Sequence, residues 1–206
     1  MGRAVSDAPQ RATWLKTLHQ WHWVSSAMCL VGMILFSLTG ITLNHASWIE
    51  THPRVIQRNA QLPAPMLATL AGSHAGPLPE PVRSWLADTL KTSVSNTAPE
   101  WSAEEIYLPM PRPGGDAWLR IDRTSGDIEF EDTDRGWLAY LNDLHKGRHA
   151  GMAWSWFIDL FAVACLLFSI TGLLILKHHA VRRPSTWPLV GFGLVLPALL
   201  ALLLIH

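Results

Sequence analysis

Histidine is the residue through which this chain could do chemistry, and it recurs in a repeated frame. The first copy reads Leu18-His19-Gln20-Trp21-His22, then an apolar run containing Leu35-Phe36-Ser37-Leu38-Thr39-Gly40, then Asn44-His45. The second reads Leu144-His145-Lys146-Gly147-Arg148-His149, then a run containing Leu167-Phe168-Ser169-Ile170-Thr171-Gly172, then His178-His179. Each copy carries histidine at both ends of an apolar stretch. Neutral imidazoles from facing helices, with apolar walls between them, suit axial ligation of a haem iron. The same donors suit a copper or zinc ion. Interfacial hydrogen bonding explains any one of these histidines, but poorly explains so many in a repeated arrangement. With no Cys-x-x-Cys-His in the chain, a covalently attached c-type haem is excluded.

Helical geometry narrows the pairing. On a continuous second helix, His149 and His178 lie ~20° apart around the axis and His145 ~40° from His149. On the first, His19 and His45 lie ~80° apart and His22 and His45 ~140° apart. The expected pairs are His19 with His178 at one end, and His45 with His145 or His149 at the other. Ser25, Cys29, Gly32 and Gly40 on one helix, and Ala162, Cys165, Ser169 and Gly172 on the other, are small. They either leave space for a flat macrocycle or permit close helix packing. Asp159 is the acid within a span, where an ionisable group is costly. It could orient a ligating histidine, relay a proton, or sit near a helix start within reach of interfacial water.

The elements that must position these residues are membrane helices. Of 206 residues, 49% are hydrophobic and only 16% charged, with 11 tryptophans, a composition that fits membrane belts as well as a core. Runs 23–43, 150–176 and 187–205 each approach or exceed the ~20 residues needed to cross the hydrocarbon. The first is longer than the h-region of a cleaved signal peptide and reads as an uncleaved anchor. Formal net charge is zero with no basic run, so nucleic acid is not an expected partner. Cys29 and Cys165 fall inside apolar runs and read as packing residues.

Basic residues set the expected orientation. Arg3, Arg11 and Lys16 precede the first span, and Lys177, Arg182 and Arg183 lie between the second and third, which places both segments in the cytoplasm. The central segment and the C-terminal His206 are then periplasmic. Within that segment, 46–78 reads as a short helical extension and a loop, 79–92 as an amphipathic helix, and 104–110, 117–122 and 128–130 as strands. The expected fold is an α-helical integral membrane protein with three transmembrane helices and a small periplasmic α+β domain inserted between helices 1 and 2. Its parts are a leader (1–17), helix 1 (18–45), the domain (46–143), helix 2 (144–177), a cytoplasmic loop (178–186) and helix 3 (187–206).

A helix followed by a small antiparallel sheet with an Ile121-Asp122-x-x-Ser125-Gly126-Asp127-Ile128 turn resembles the PepSY domain. Leu18-His19-Gln20-Trp21 is similar to the His-Arg-Trp entry of PepSY-associated transmembrane proteins, and Leu144-His145-Lys146-Gly147-Arg148 to their Leu-His-x-Gly-Arg entry. The resemblance covers residues 18–205. Gln20 departs from the family's arginine, and longer relatives have two such domains and at least four spans. The resemblance implies a bacterial inner-membrane protein with haem b at two sites, passing electrons from the cytoplasmic side or the quinol pool to a periplasmic ferric chelate or flavoprotein. Relatives include ferric-siderophore reductases, so the chain is expected to be such a reductase or its cytochrome subunit, rebuilt as a homodimer in the bilayer. His19, His45, His145 and His178 are the expected iron ligands, with His22 and His149 also at the sites, and Lys146 and Arg148 beside the propionates. Two alternatives stand beside it: a membrane-anchored PepSY sensing or protease-inhibiting module without redox activity, and a histidine-based metal-ion binding or transport protein. Distance weighs against an easy electron path, since His22 to His45 spans ~35 Å and His149 to His178 ~44 Å on ideal helices. No Gly-x-Gly-x-x-Gly turn is present to bind NAD(P)H or flavin.

Overall fold

Long uninterrupted apolar runs leave a backbone in a bilayer only one local solution, the helix, because every N–H and C=O must find its partner within the segment. A computed structural model describes residues 7–50 and 52–205 and contains three such helices: α1 (Asp7–Asn44), α5 (Gly151–His179) and α6 (Thr186–Leu204). All three are long and apolar enough to cross a membrane. Arg3 of the leader and the C-terminal His206 lie outside the described residues. The chain divides into two compact units, Met1–Leu35 with Phe157–His206, and Phe36–Trp156, with the boundaries falling inside α1 and α5.

In the first unit α1 and α5 run antiparallel. His22 meets Thr171, and ten residues further along α1 Gly32 meets Phe161, ten residues back along α5. A methyl group on Gly32 would fall 2.4 Å from the Phe161 ring. The small residues therefore bring the helices together, and the gap they leave is filled by an aromatic side chain. Ser25 and Cys29 are buried as that stripe requires, but on α5 the buried residues are Ala164 and Thr171, while Ala162 and Ser169 are exposed. The α5 contact face is thus turned from the one read off residue size. α6 buries none of its residues.

The second unit holds a five-stranded antiparallel sheet: β1 (Arg54–Gln61), β2 (Glu100–Trp101), β3 (Glu105–Pro109), β4 (Gly115–Asp122) and β5 (Asp127–Asp134), in the order β1-β5-β4-β3-β2. Alternation explains its core: Ile106, Leu108, Leu119, Ile121, Ile128 and Phe130 point to one face. There they meet Leu70 of α2 (Ala64–Ala71) and Val82, Leu86 and Leu90 of α3 (Glu80–Leu90). Both helices have proline in their first turn, where the missing N–H costs nothing.

Three expectations change. The stretch read as extension and loop contains β1 and α2; β1 is an edge strand with few apolar residues, paired from Arg54↔Asp134 to Gln61↔Asp127. β5 continues four residues beyond the expected end. The second span is not one continuous helix from His145. A separate α4 (Gly136–Lys146) ends at Gly147 (φ 67°), and left-handed residues at His149 (φ 56°) and Gly151 (φ 81°) precede and open α5. The ~20° and ~40° face angles that assumed continuity therefore do not describe His145 and His149.

Candidate functional site

Each unit contains one cradle in which a histidine is seated on the Phe-x-x-Thr-Gly part of the repeated motif. In the first unit, His22 of α1 places Nδ1 2.9 Å from Thr171 Oγ1 and 3.2 Å from the Phe168 carbonyl oxygen. Its ring stacks on Phe168 at 4.8 Å, 15° from parallel. A methyl on Gly172 would stand 3.3 Å from its Cε1, so glycine lets the ring settle against the backbone. In the second unit, His145 at the end of α4 places Nδ1 2.8 Å from Thr39 Oγ1, with Phe36 5.1 Å away between centroids. Gly40 there would bring a methyl to 3.5 Å of Cε1. The same three residue types, at the same spacing, hold an imidazole twice.

Where a backbone carbonyl is the partner, the hydrogen bond sets the tautomer. Thr171 donates its hydroxyl proton to its own helix, to the Leu167 or Phe168 carbonyl, and Thr39 donates to that of Phe36. His22 donates from Nδ1–H, because the Phe168 carbonyl 3.2 Å away only accepts, and the Thr39 hydroxyl can accept in the same way from His145. Three further histidines reach the same state by another route. His19 donates Nδ1–H to the Leu15 carbonyl (2.8 Å), His45 to that of Ile41 (3.0 Å) and His179 to that of Ile175 (2.9 Å), each four residues back. A carbonyl only accepts, so in the neutral ring the lone pair lies on Nε2 in these three as in His22. None of these Nε2 atoms has a hydrogen-bond partner among the described residues. A ring N–H held by a carbonyl or hydroxyl, with the other nitrogen bare, is the posture of a metal-ligating histidine.

The expected pairs are only partly brought together. His19 lies 6.4 Å, ring to ring, from His179, and His179 lies 5.3 Å from His178. His178 lines a groove of about 580 Å³ with Arg11, Trp14, Leu15, Leu174, Lys177 and Val181. His45 packs its ring on Trp48 at 4.7 Å, and His149 is exposed at the left-handed bend. Asp159 is exposed and touches no histidine among the described residues. Lys146 and Arg148 are exposed. His179, Thr39 and Thr171 were not among the residues singled out from sequence, although the repeated Thr-Gly pair was the signal for the last two.

α4 is fixed by its own polar contacts. The buried Asp143 accepts the Gly114 N–H at 2.9 Å and Arg135 Nη2 at 3.4 Å, and Asn142 accepts the Thr42 hydroxyl at 3.3 Å. Gly114 (φ 71°) lies so close that a Cβ would be 2.7–2.9 Å from Tyr140 backbone and Cβ atoms. Trp154 Nε1 donates to the Leu144 carbonyl at 2.8 Å, satisfying one of the open acceptors at the helix end.

Three bilayer-length apolar helices and a small α+β sheet domain define an integral membrane protein. The particular family follows from comparison: the chain belongs to the PepSY_TM-like family, whose model matches residues 13–206. No curated protein and no solved structure matches it.

Proposed function

We propose that the chain is a haem-b electron-transfer protein of the bacterial inner membrane, passing electrons from the cytoplasmic side or the quinol pool to a periplasmic ferric chelate or flavoprotein. The single observation that carries this reading is a shared arrangement: His19, His22, His45 and His179 each turn Nδ1 to a backbone carbonyl, which holds Nδ1–H and leaves Nε2 free. Haem iron ligated by two imidazoles exchanges one electron without moving atoms, which is the chemistry the group would supply. His22 and His145 are the best fixed donors, His19, His45 and His179 the next. His178 has Arg11 and Lys177 beside it, two cations that suit haem propionates. His149 lacks a hydrogen bond that would set its tautomer, and Asp159 is too isolated to orient a ring.

Phe161 occupies the space at Gly32, so a macrocycle does not fit between α1 and α5 at that level. A macrocycle would have to lie against the exposed helix faces, which a second copy of the chain would cover; the reading therefore includes a homodimer. The orientation follows the basic residues, with the N-terminus in the cytoplasm.

An absorption spectrum of protein purified after haem-supplemented expression tests the proposal. A Soret band with the split α/β bands of a bis-histidine haem is expected. Absence of a Soret band sinks it. Alanine replacement of His22 or His145 should remove most of one haem equivalent, and full occupancy in both variants would reject these ligands. A metal ion bound in a Soret-free sample would favour the metal-ion alternative.

A further inference from the structure

The only two cysteines of the chain lie at one level of the α1–α5 contact. His22 against Thr171 and Gly32 against Phe161 fix an antiparallel register in which each step forward on α1 is a step back on α5. That register sets Cys29 opposite Ala164 and Cys165. The register brings the two thiols to one level of the helix contact, and both are free. The surroundings are close-packed: Cys29 has no exposed surface, Ser25 one turn earlier is 1% exposed and Ala164 is 9% exposed. Packing alone asks only for a small side chain at each place, which alanine or serine would satisfy. Two apposed thiols have a reaction that neither of those residues has.

The two sulfurs differ in access. Cys29 is sealed, whereas Cys165 is partly exposed, and its neighbours on the same helix face, Ala162 and Ser169, are exposed. On a membrane helix that surface is reached from the lipid rather than from water. A reactant that meets Cys165 must therefore be lipid-soluble, and it must take two electrons and two protons, because closing a disulfide releases both pairs. Membrane quinones are the class of molecule with those properties. Within the first unit, Cys29 lies seven residues after His22, about 10 Å along α1, so the dithiol and the His22 cradle are close neighbours on one helix.

We propose that Cys29 and Cys165 form an intramembrane dithiol site whose substrate is a membrane quinone. Two S–H bonds break and one S–S bond forms between α1 and α5. The two electrons and two protons pass to the quinone oxygens, giving the quinol. Cys165 is the thiol the quinone meets, and Cys29 resolves the reaction. The proposal does not rest on haem, and a haem-free protein would carry the site equally well.

The test uses full-length protein in lipid nanodiscs, reduced, freed of reductant and incubated without oxygen with decylubiquinone. After denaturation, maleimide labelling counts the remaining thiols, and peptide mass spectrometry maps any bond. Loss of both thiols is expected, with a Cys29–Cys165 cross-link inside one chain and decylubiquinol appearing in about a one-to-one ratio. C29S and C165S should each keep their single thiol and form no quinol. Two free thiols after quinone treatment would overturn the proposal, whether or not diamide closes the bond. A bond between two chains would overturn it too. The wild-type mapping decides the question even where a variant fails to assemble.

Discussion

A threonine in the middle of a helix ordinarily satisfies itself by bonding back to its own carbonyls. Thr39 and Thr171 do so, and the oxygen lone pairs that remain are what orient His145 and His22. T39V and T171V keep the shape of the side chain and remove that acceptor. Imidazole ¹⁵N spectra should show His145 protonated on Nδ1 in the parent and shifted toward the Nε2–H form common in water in T39V, while His22 should keep Nδ1–H in T171V because the Phe168 carbonyl still accepts it; an unchanged His145 spectrum would show that threonine does not set its tautomer. His149 illustrates a different constraint, since its φ of 56° is one that side chains other than glycine adopt at a cost. H149G should therefore stabilise the protein by about 0.5–1 kcal/mol, read as a rise in thermal midpoint. The histidines and the repeated motif could be read from the sequence. Their partners could not, because spacing along one helix gives a residue's face but not the register of the helix opposite.

Turns and joints carry the local energetics of the elements. In the β4–β5 turn Asp122 accepts the backbone N–H groups of Ser125 (2.7 Å) and Thr124 (2.8 Å), and these hold its carboxyl below the ordinary range. A carboxyl whose folded value is depressed adds stability above its unfolded value, near pH 4, and that stability is lost as pH falls through the folded value. Melting of the sheet domain between pH 5 and pH 2 should show this loss, and D122N should remove that part of the pH dependence. Gly114 is the stricter case: at φ 71°, with Tyr140 backbone where its Cβ would stand, G114A should cost at least about 2 kcal/mol in chemical denaturation. The helix and inner strands of this domain were visible as periodic patterns. β1 was not, because an edge strand with one weakly buried face alternates too little to be distinguished from a loop. The break before α5 did leave a trace, in Gly147 and Gly151, but drawing the second span back to the histidines before the apolar run passed over it.

At the scale of the molecule, the buried hydrophobic cluster of the sheet domain is drawn from residues 62–130 alone. A fragment covering 52–135 should therefore fold by itself as a water-soluble domain and melt in a single cooperative transition; a molten or aggregated fragment would show that the membrane helices complete its core. The spans were readable because a bilayer imposes a length and a polarity that few other environments demand. What covers their exposed faces was not, since any apolar surface satisfies lipid and partner alike. The two cradles have one further consequence. Each offers its imidazole the same ring, the same hydroxyl and the same glycine floor. Under the proposed redox role, ligands so alike would poise their irons at similar potentials, with little downhill step between them. Such a carrier would conduct equally well in either sense, and the traffic through it would be set by the supply at one end and the demand at the other.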